Sequence, residues 1–185
     1  VPRVEHTMNT MIERLHSRAG GVATFQPEFV ALCEWIYGIA DITQGRMSES
    51  VAHFSAAESL FNESGDAQHA AETQVPKIMA LSLLGLHSEA ITTATQTYET
   101  LLALGDLHAA GKVSLNLGNL HCHRKDYAAA LPHYHEAVRL FGQIGETQLS
   151  AVSEIGMADA SASTGDFKKA LEMYAQARTH ARQHN

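Results

Sequence analysis

The amino-acid sequence predicts an all-α fold, a solenoid of antiparallel helix pairs, and three observations indicate it. Ala, Leu, Glu, His and Gln are plentiful, whereas the long runs rich in Val, Ile and Thr that form sheets are missing. Apolar residues recur at the i, i+3, i+4, i+7 spacing of a helix with one buried face. Similar residues also return every 40 positions along most of the chain. With 185 residues, the chain is long enough to bury a sizeable core.

An N-terminal segment, residues 1–24, precedes the repeats. Within it, residues 3–19 are predicted to form an amphipathic helix that ends at Gly20-Gly21. The apolar side of this helix consists of Val4, Met8, Met11, Ile12 and Leu15. The helix either caps the array or is the second helix of a preceding unit. Residues 1–3 resemble the end of a protease-tag linker, and the chain is expected to be a fragment of a longer protein.

Four repeats follow, at residues 27–66, 67–106, 107–146 and 147–185. Several columns of the 40-residue period agree in size and polarity. These columns are Gly45, Gly85, Lys125 and Gly165; Ser50, Ala90, Ala130 and Ala170; Phe54, Ala94, Tyr134 and Tyr174; and Ala57, Thr97, Ala137 and Ala177. Agreement of so many columns at one spacing predicts that a single supersecondary unit is repeated.

Each repeat is predicted to hold two helices. The first helix ends at the column that contains Gly45, and the second carries an apolar stripe, which in the third repeat falls at 130, 131, 134, 137, 138 and 141. Asp126 and Asp166 are predicted to cap second helices. Three glycines suit the left-handed residue that ends a helix. An acidic residue follows each of them and suits the N-cap of the next helix. These glycines are Gly65, Gly105 and Gly145.

Two prolines fall within predicted helices. Pro76 lies in the middle of a first helix, where it removes one hydrogen bond and costs about 3 kcal/mol unless the helix bends or begins there. We therefore expect a kink or a late start in that helix. Pro132 lies early in its helix, near Asp126, and disturbs it less.

The third repeat resembles the tetratricopeptide repeat in the spacing of Leu117-Gly118, Ala130, Tyr134 and Ala137. The 40-residue period resembles a long-helix subclass, as in kinesin light chains and bacterial regulatory proteins, including those with caspase-like domains. The resemblance covers residues 27–185. It implies a right-handed superhelix whose first helices line a concave groove. The second repeat matches least, because it contains Pro76 and lacks the central glycine.

The resemblance further implies that the groove binds a peptide or a partner helix, as a regulatory or scaffold part of a larger signalling protein. The residues placed on the groove by position are Ile39, Thr43, Glu72, Met79, Leu83, Lys112, Asn116, Asn119, His123, Asp159 and Ser163. Asparagine amides both donate and accept hydrogen bonds towards a peptide backbone, although Asn116 and Asn119 could equally serve only as solvated or capping residues. The family's clamp for a C-terminal carboxylate is doubtful, because Glu72 opposes an acidic ligand.

The histidines indicate no metal or catalytic site. His121 and His123 are two residues apart on a helix and point in nearly opposite directions, and His133 and His135 do the same. We expect His121 to take an aromatic position of the first helix and the other three to be surface residues. Cys33, in an apolar segment, is expected to be buried. No catalytic motif is present, and no cofactor is predicted.

Charge and composition restrict the partners. The formal net charge is −7 and the 13 Lys and Arg are scattered, so nucleic acids and membranes are poor partners. Isolated cysteines and the lack of a long apolar run favour a cytoplasmic location. Two alternatives to partner binding stay open. The first is self-association through the ends of the solenoid or the N-terminal helix. The second is a metal-dependent activity that uses the histidines.

Overall fold

The computed structural model describes residues 26–182, with only the backbone for residues 180–182. This part of the chain forms helices and no strands, so the predicted all-α repeat fold is confirmed. The helices are α1 (Pro27–Gln44), α2 (Met47–Glu63), α3 (Ala67–Leu83), α4 (His87–Leu104), α5 (Leu107–His123), α6 (Tyr127–Ile144), α7 (Thr147–Ser163) and α8 (Phe167–Arg182). The helix predicted at residues 3–19 lies outside the described residues.

The described residues divide into two compact units, unit 1 up to Leu84 and unit 2 from Gly85 onwards. In unit 1, α2 packs between α1 and α3, and α1 also touches α3. In unit 2, each of the helices α4 to α8 packs against the next, and α5 also touches α7. Helices α1 and α3 in unit 1, and α5 and α7 in unit 2, therefore lie side by side. The division of the chain into four repeats stays a prediction.

Left-handed residues end the helices, as the sequence predicts. Gly65, Gly105 and Gly145 have φ of +80°, +78° and +71°. The other glycine column behaves in the same way: Gly45, Gly85 and Gly165 have φ of +76°, +76° and +89°. Both columns therefore mark the positions where helices end.

Lys125 lies in the second of these columns and has φ of +59°, the one positive φ at a non-glycine residue among residues 26–182. We expect Lys125→Gly to stabilise unit 2 by about 1 kcal/mol, because a side chain in the left-handed region costs about 1–2 kcal/mol. Urea denaturation followed by circular dichroism measures the change. The reverse substitution, Gly165→Lys, is the control: no atom lies within 4 Å of a Cβ at Gly165, so its expected loss is purely conformational. A destabilised Lys125→Gly variant would contradict this explanation.

Acidic residues cap five helices, as predicted. Asp66, Asp106 and Glu146 accept the backbone N–H of His69, Ala109 and Leu149 at 3.1, 2.9 and 3.5 Å, at the starts of α3, α5 and α7. Asp126 and Asp166 accept from Ala129 and Lys169, both at 3.2 Å, at the starts of α6 and α8. Each carboxylate satisfies one N–H that has no partner within its helix and interacts favourably with the positive end of the helix dipole.

Of the two alternatives predicted for the helix with Pro76, a kink or a late start, the late start is wrong. Helix α3 begins at Ala67 and continues to Leu83 with Pro76 inside it. Proline removes one N–H donor and its ring crowds the carbonyl one turn back, but three buried residues after it, Ile78, Ala80 and Leu81, keep that half of the helix packed in unit 1. Burial of these side chains therefore offsets the lost hydrogen bond.

Several aromatic rings pack against glycines, where a side chain would leave no room for the ring. A Cβ built on Gly38 would lie 2.6 Å from the Phe54 ring, and one on Gly111 would lie 2.6 Å from the Phe141 ring. The Tyr134 ring is restricted from two sides, because a Cβ on either Gly118 or Gly156 would lie 2.6 Å from its Cε1. These rings therefore press directly on helix backbone.

Candidate partner-binding surface

The residues predicted to bind a partner all lie on α1 and α3 of unit 1 or on α5 and α7 of unit 2. Nine of the eleven are exposed, and Glu72 and Asn116 are half-buried. The exposed residues are Ile39, Thr43, Met79, Leu83, Lys112, Asn119, His123, Asp159 and Ser163. Their position at the surface is what binding requires, and their role in binding stays a prediction.

In unit 1 this surface is apolar. Besides Ile39, it contains Leu32 and Ile36, which the sequence reasoning missed; Ile36 is 47% exposed. These three residues have the i, i+4, i+7 spacing of one helix face and form the α1 row. Helix α3, which touches α1, adds exposed Met79 and Leu83, the latter 58% exposed. We call these five residues the apolar face of unit 1.

In unit 2 the corresponding residues are polar. Lys112, Asn119 and His123 are exposed on α5 and Asp159 is exposed on the neighbouring α7. With the half-buried Asn116 they form the polar face of unit 2. The His123 ring lies edge-on to the ring of His87 on α4, with centroids 6.3 Å apart. The two units therefore present different chemistry at the same positions of the repeat.

A repeated hydrogen bond explains part of this difference. Tyr134 donates its hydroxyl to Asn119 Oδ1 at 2.8 Å, and Tyr174 donates to Asp159, which lies 40 residues after Asn119. In unit 1 the equivalent aromatic residue is Phe54, which has no hydroxyl, and the equivalent of Asn119 is Ile39. A tyrosine in the second helix thus favours a polar residue at the facing position of the first helix, and a phenylalanine favours an apolar one. Asn119 therefore has a structural role as the acceptor of the Tyr134 hydroxyl.

The histidines pair rather than converge. The rings of His121 and His133 stack between α5 and α6 with centroids 5.3 Å apart and planes inclined by 10°. His121 Nδ1 lies 3.9 Å from an Asp126 carboxylate oxygen. Between residues 26 and 182, no three His, Cys, Asp or Glu residues are placed to hold a metal ion. His123 and His135 are exposed as predicted, but the surface position predicted for His133 is wrong, because this residue is half-buried under the His121 ring.

Acid is expected to weaken unit 2 through His133. Burial lowers the pKa of this imidazole and the neighbouring His121 lowers it further, so the neutral form is favoured in the folded state. The stabilisation is present above the unfolded pKa of about 6.5 and is lost as the pH falls through that value towards the lower folded pKa. Urea denaturation between about pH 7.5 and about pH 5 should show a smaller pH dependence for His133→Gln than for the unmodified chain. His135→Gln, exposed on the same helix, should keep the original dependence; an unchanged dependence in His133→Gln would contradict the prediction.

Neither cysteine has the surroundings of a nucleophile. Cys33 is half-buried rather than buried as predicted, and burial and then Glu34 raise the pKa of its thiol. Cys122 Sγ lies 3.5 Å from the Tyr134 hydroxyl oxygen, whose proton is donated to Asn119. Both thiols are therefore packing groups.

A charge network around the buried Asp41 joins α1 to α2, and sequence reasoning missed it. Asp41 is buried, and Arg46 Nε donates to its Oδ1 at 2.8 Å. His53 Nε2 lies 3.5 Å from Asp41 Oδ2, and His53 Nδ1 lies 2.6 Å from Glu34 Oε2. The network pairs a carboxylate that would otherwise be buried without a counter-charge, so its role is structural.

Comparison with known proteins identifies the repeat. Residues 109–183 match the family model of the tetratricopeptide repeat. The match covers less than half of the chain, and this part is similar to tetratricopeptide repeats. The match covers α6, α7, α8 and nearly all of α5, where the sequence agrees best with the family's spacing. No curated protein sequence matches the chain significantly. No helix within residues 26–182 has both the length and the apolar character to cross a lipid bilayer.

Solved structures share the tetratricopeptide-type fold at low sequence identity. BtubC from P. vanneervenii is 17% identical with a TM-score of 0.81, and the match covers 95% of this chain and 72% of BtubC. A Rap protein complexed with competence and sporulation factor is 15% identical with a TM-score of 0.74, over 88% of this chain and 46% of the Rap protein. A signal transduction ATPase from Pyrococcus horikoshii with a tetratricopeptide repeat sensor is 17% identical with a TM-score of 0.75, over 96% of this chain and 28% of the ATPase. The chain thus spans less than half of the last two proteins.

Proposed function

We propose that the chain is a non-catalytic protein–protein interaction module that binds a peptide or a partner helix against its first helices. The observation that carries the proposal is the exposure of side chains at matching positions of all four first helices, α1, α3, α5 and α7. Internal packing leaves the apolar face of unit 1 and the polar face of unit 2 open to solvent. Exposed apolar side chains in a cluster are typical of interaction sites.

The chemistry of these faces suits a polypeptide better than a polyanion. The apolar face of unit 1 offers large aliphatic side chains for the apolar residues of a helix. The polar face of unit 2 offers Asn116 for hydrogen bonds, and Lys112 and Asp159 supply one charge of each sign. A chain with a net charge of −7 repels nucleic acid and anionic membranes over most of its surface.

The structural relatives support a regulatory role by analogy of fold alone. One of them is a Rap protein in complex with a signalling factor, and another uses its tetratricopeptide repeats as a sensor in a signalling ATPase. We propose in the same way that this chain is a regulatory or scaffold part of a larger cytoplasmic signalling protein. The division into four repeats and the long-period subclass belong to this proposal.

Variants on the two faces test the proposed function. The full chain is immobilised, the protein that it retains from its native extract is identified by mass spectrometry, and this protein is then purified for binding measurements. We expect Leu83→Glu or the double variant Lys112→Glu/Asn116→Ala to weaken binding by about 10-fold or more, equivalent to about 1.4 kcal/mol. Gln96→Lys, at an exposed position of the second helix α4, is the control. Undiminished binding by both face variants, or loss of binding by the control alone, would contradict the proposal.

A further inference from the structure

We propose that the apolar face of unit 1 binds an amphipathic helix that carries basic residues beside its apolar stripe. The proposal rests on the proposed function and deepens it, because it names the conformation and the charge of the partner segment. The polar face of unit 2 has different chemistry and is not part of this site.

The exposure of this face is a property of the repeat. Helix α5 packs against α4 and α6 and touches α7, yet Lys112 and Asn119 remain exposed on it. These two residues occupy the positions that Leu32 and Ile39 have on α1. Neighbouring helices therefore leave these positions open even where they flank a first helix on both sides.

The two helices that carry the face run in the same direction, because α2 is antiparallel to both. The contacts that show this are Ser50 with Gly38 and Phe61 with Trp35 between α2 and α1, and Phe61 with His69 and Glu58 with Lys77 between α2 and α3. Along α3, positions 72 to 83 extend over about 16 Å, the length of about three turns of a partner helix.

The face offers no hydrogen bonds to the backbone of a ligand. Its five side chains are apolar, and the half-buried Pro76 of α3 has no N–H. Thr43, at the end of the α1 row, already donates its hydroxyl to the carbonyl oxygen of Ala40 at 2.7 Å. An extended segment in contact with this face would bury backbone N–H and C=O groups without partners, which costs free energy. A helix satisfies those groups internally and presents its apolar side chains to the face.

Two carboxylates border the face near the N-terminal ends of its helices. Glu28 lies one turn before Leu32 on α1, and Glu72 lies one turn before Pro76 on α3, so each continues a row. Glu28 is exposed and Glu72 is half-buried. Within residues 26–182 neither carboxylate forms an ion pair, and Glu72 accepts a hydrogen bond from the neutral amide of Gln68 at 3.0 Å.

The bases of unit 1 do not neutralise these two carboxylates. Residues 27–84 contain one Arg and one Lys, and Arg46 pairs with Asp41 while Lys77 pairs with Glu58. The other six carboxylates in residues 27–84 are paired, cap a helix or lie on α2. The charge that borders the face is therefore negative. It attracts a segment with Lys or Arg beside its apolar stripe and repels an acidic segment.

These features define the partner segment. It is a helix of about three turns with large apolar residues at the i, i+3, i+4, i+7 spacing. Lys or Arg flanks the apolar stripe at the end that meets Glu28 and Glu72. Acidic segments and segments broken by proline do not fit.

The test begins with a displayed library of random peptides of about 16 residues, or about four turns as a helix, selected on the full chain. We expect the enriched peptides to share apolar residues at helical spacing and a net positive charge. One enriched peptide is then synthesised, and its circular dichroism should show a gain of helix when it binds.

Variants of the chain locate the contact, with binding of this peptide measured by fluorescence anisotropy. Ile36→Glu is expected to abolish binding, and Glu28→Lys/Glu72→Lys to weaken it by about 10-fold, the effect of reversing two exposed charges. Glu49→Lys/Glu63→Lys changes two exposed carboxylates of α2 and gives the same net charge, so it is the matched control and should bind like the unmodified chain. Circular dichroism of each variant should match that of the unmodified chain.

Three outcomes would overturn the proposal. The first is a selection that enriches no peptide, or enriches acidic or proline-interrupted ones. The second is equal binding by the two double-charge variants. The third is a peptide that still binds Ile36→Glu but not Lys112→Glu/Asn116→Ala, which would place the contact on the polar face of unit 2. This third outcome would leave the proposed function intact, whereas undiminished binding of the natural partner by both face variants contradicts the proposed function itself.

Discussion

Replacement of Phe141 by alanine is expected to destabilise unit 2 by about 3–5 kcal/mol, the usual cost of truncating a buried aromatic side chain. Phe141 has no exposed surface, and its ring presses against the backbone of α5 at Gly111. Neighbouring helices cannot close the resulting cavity without breaking their other contacts. Domain stabilities are about 5–15 kcal/mol, so the loss is a large part of the total. Urea denaturation followed by circular dichroism measures it.

Phe167→Ala is the matched control for this prediction. It removes the same atoms from a side chain that is 67% exposed, so the free energy of unfolding of the monomer should change by about 0.5 kcal/mol or less. Similar losses for the two variants would show that Phe141 is not the core residue described above.

The second large effect is expected for Gly156→Ala, with a loss of about 1–3 kcal/mol. The added Cβ would lie 2.6 Å from the Tyr134 ring, which Gly118 already confines from the other side. The ring can therefore move only by losing its hydrogen bond to Asn119 or by separating α7 from α6. The intrinsic preference of alanine over glycine in a helix, about 1 kcal/mol, recovers a part of the cost. Thermal or urea denaturation measures the net change.

Gly142→Ala separates steric cost from helix propensity. Gly142 lies inside α6, and no atom is within 4 Å of a Cβ built on it. Alanine at this position should stabilise the helix by about 0.5–1 kcal/mol. If Gly156→Ala were also stabilising, the close contact of Tyr134 with two glycines would not restrict the packing of α6 and α7.

Much of the fold could be predicted from the sequence, because the deciding interactions are local. An acidic residue caps the helix that follows it, and a glycine ends the helix before it, through hydrogen bonds that span only a few residues. Asp106 and Gly105 illustrate both cases. Lys125 could be placed at a helix end in the same way from its column, although lysine itself does not favour that conformation. The late start that the local rule allowed at Pro76 does not occur, because the helix continues through this residue and its following half is packed.

The candidate surface was only partly predictable. Position in the repeat placed Ile39, Lys112 and Asn119 on exposed faces, but it did not reveal Leu32 and Ile36, since an amphipathic pattern predicts that aliphatic residues point inward. On α1, aliphatic residues occupy exposed positions as well as buried ones. In the same way, the half-burial of His133 depends on the stacked ring of His121 on another helix, and no spacing within one helix predicts such a contact.

The sequence by itself determined the helices, their ends and the 40-residue register, because caps, turns and periodic apolar residues act over a few residues and recur in every repeat. Only the tertiary structure decided which side chains stay exposed once the helices are packed, and which polar groups pair across helices. Examples are the hydrogen bond of Tyr134 with Asn119 and the exposed α1 row. The exposure of a side chain depends on which neighbouring helix covers it. That contact joins residues far apart in the sequence, so no single stretch of sequence encodes it.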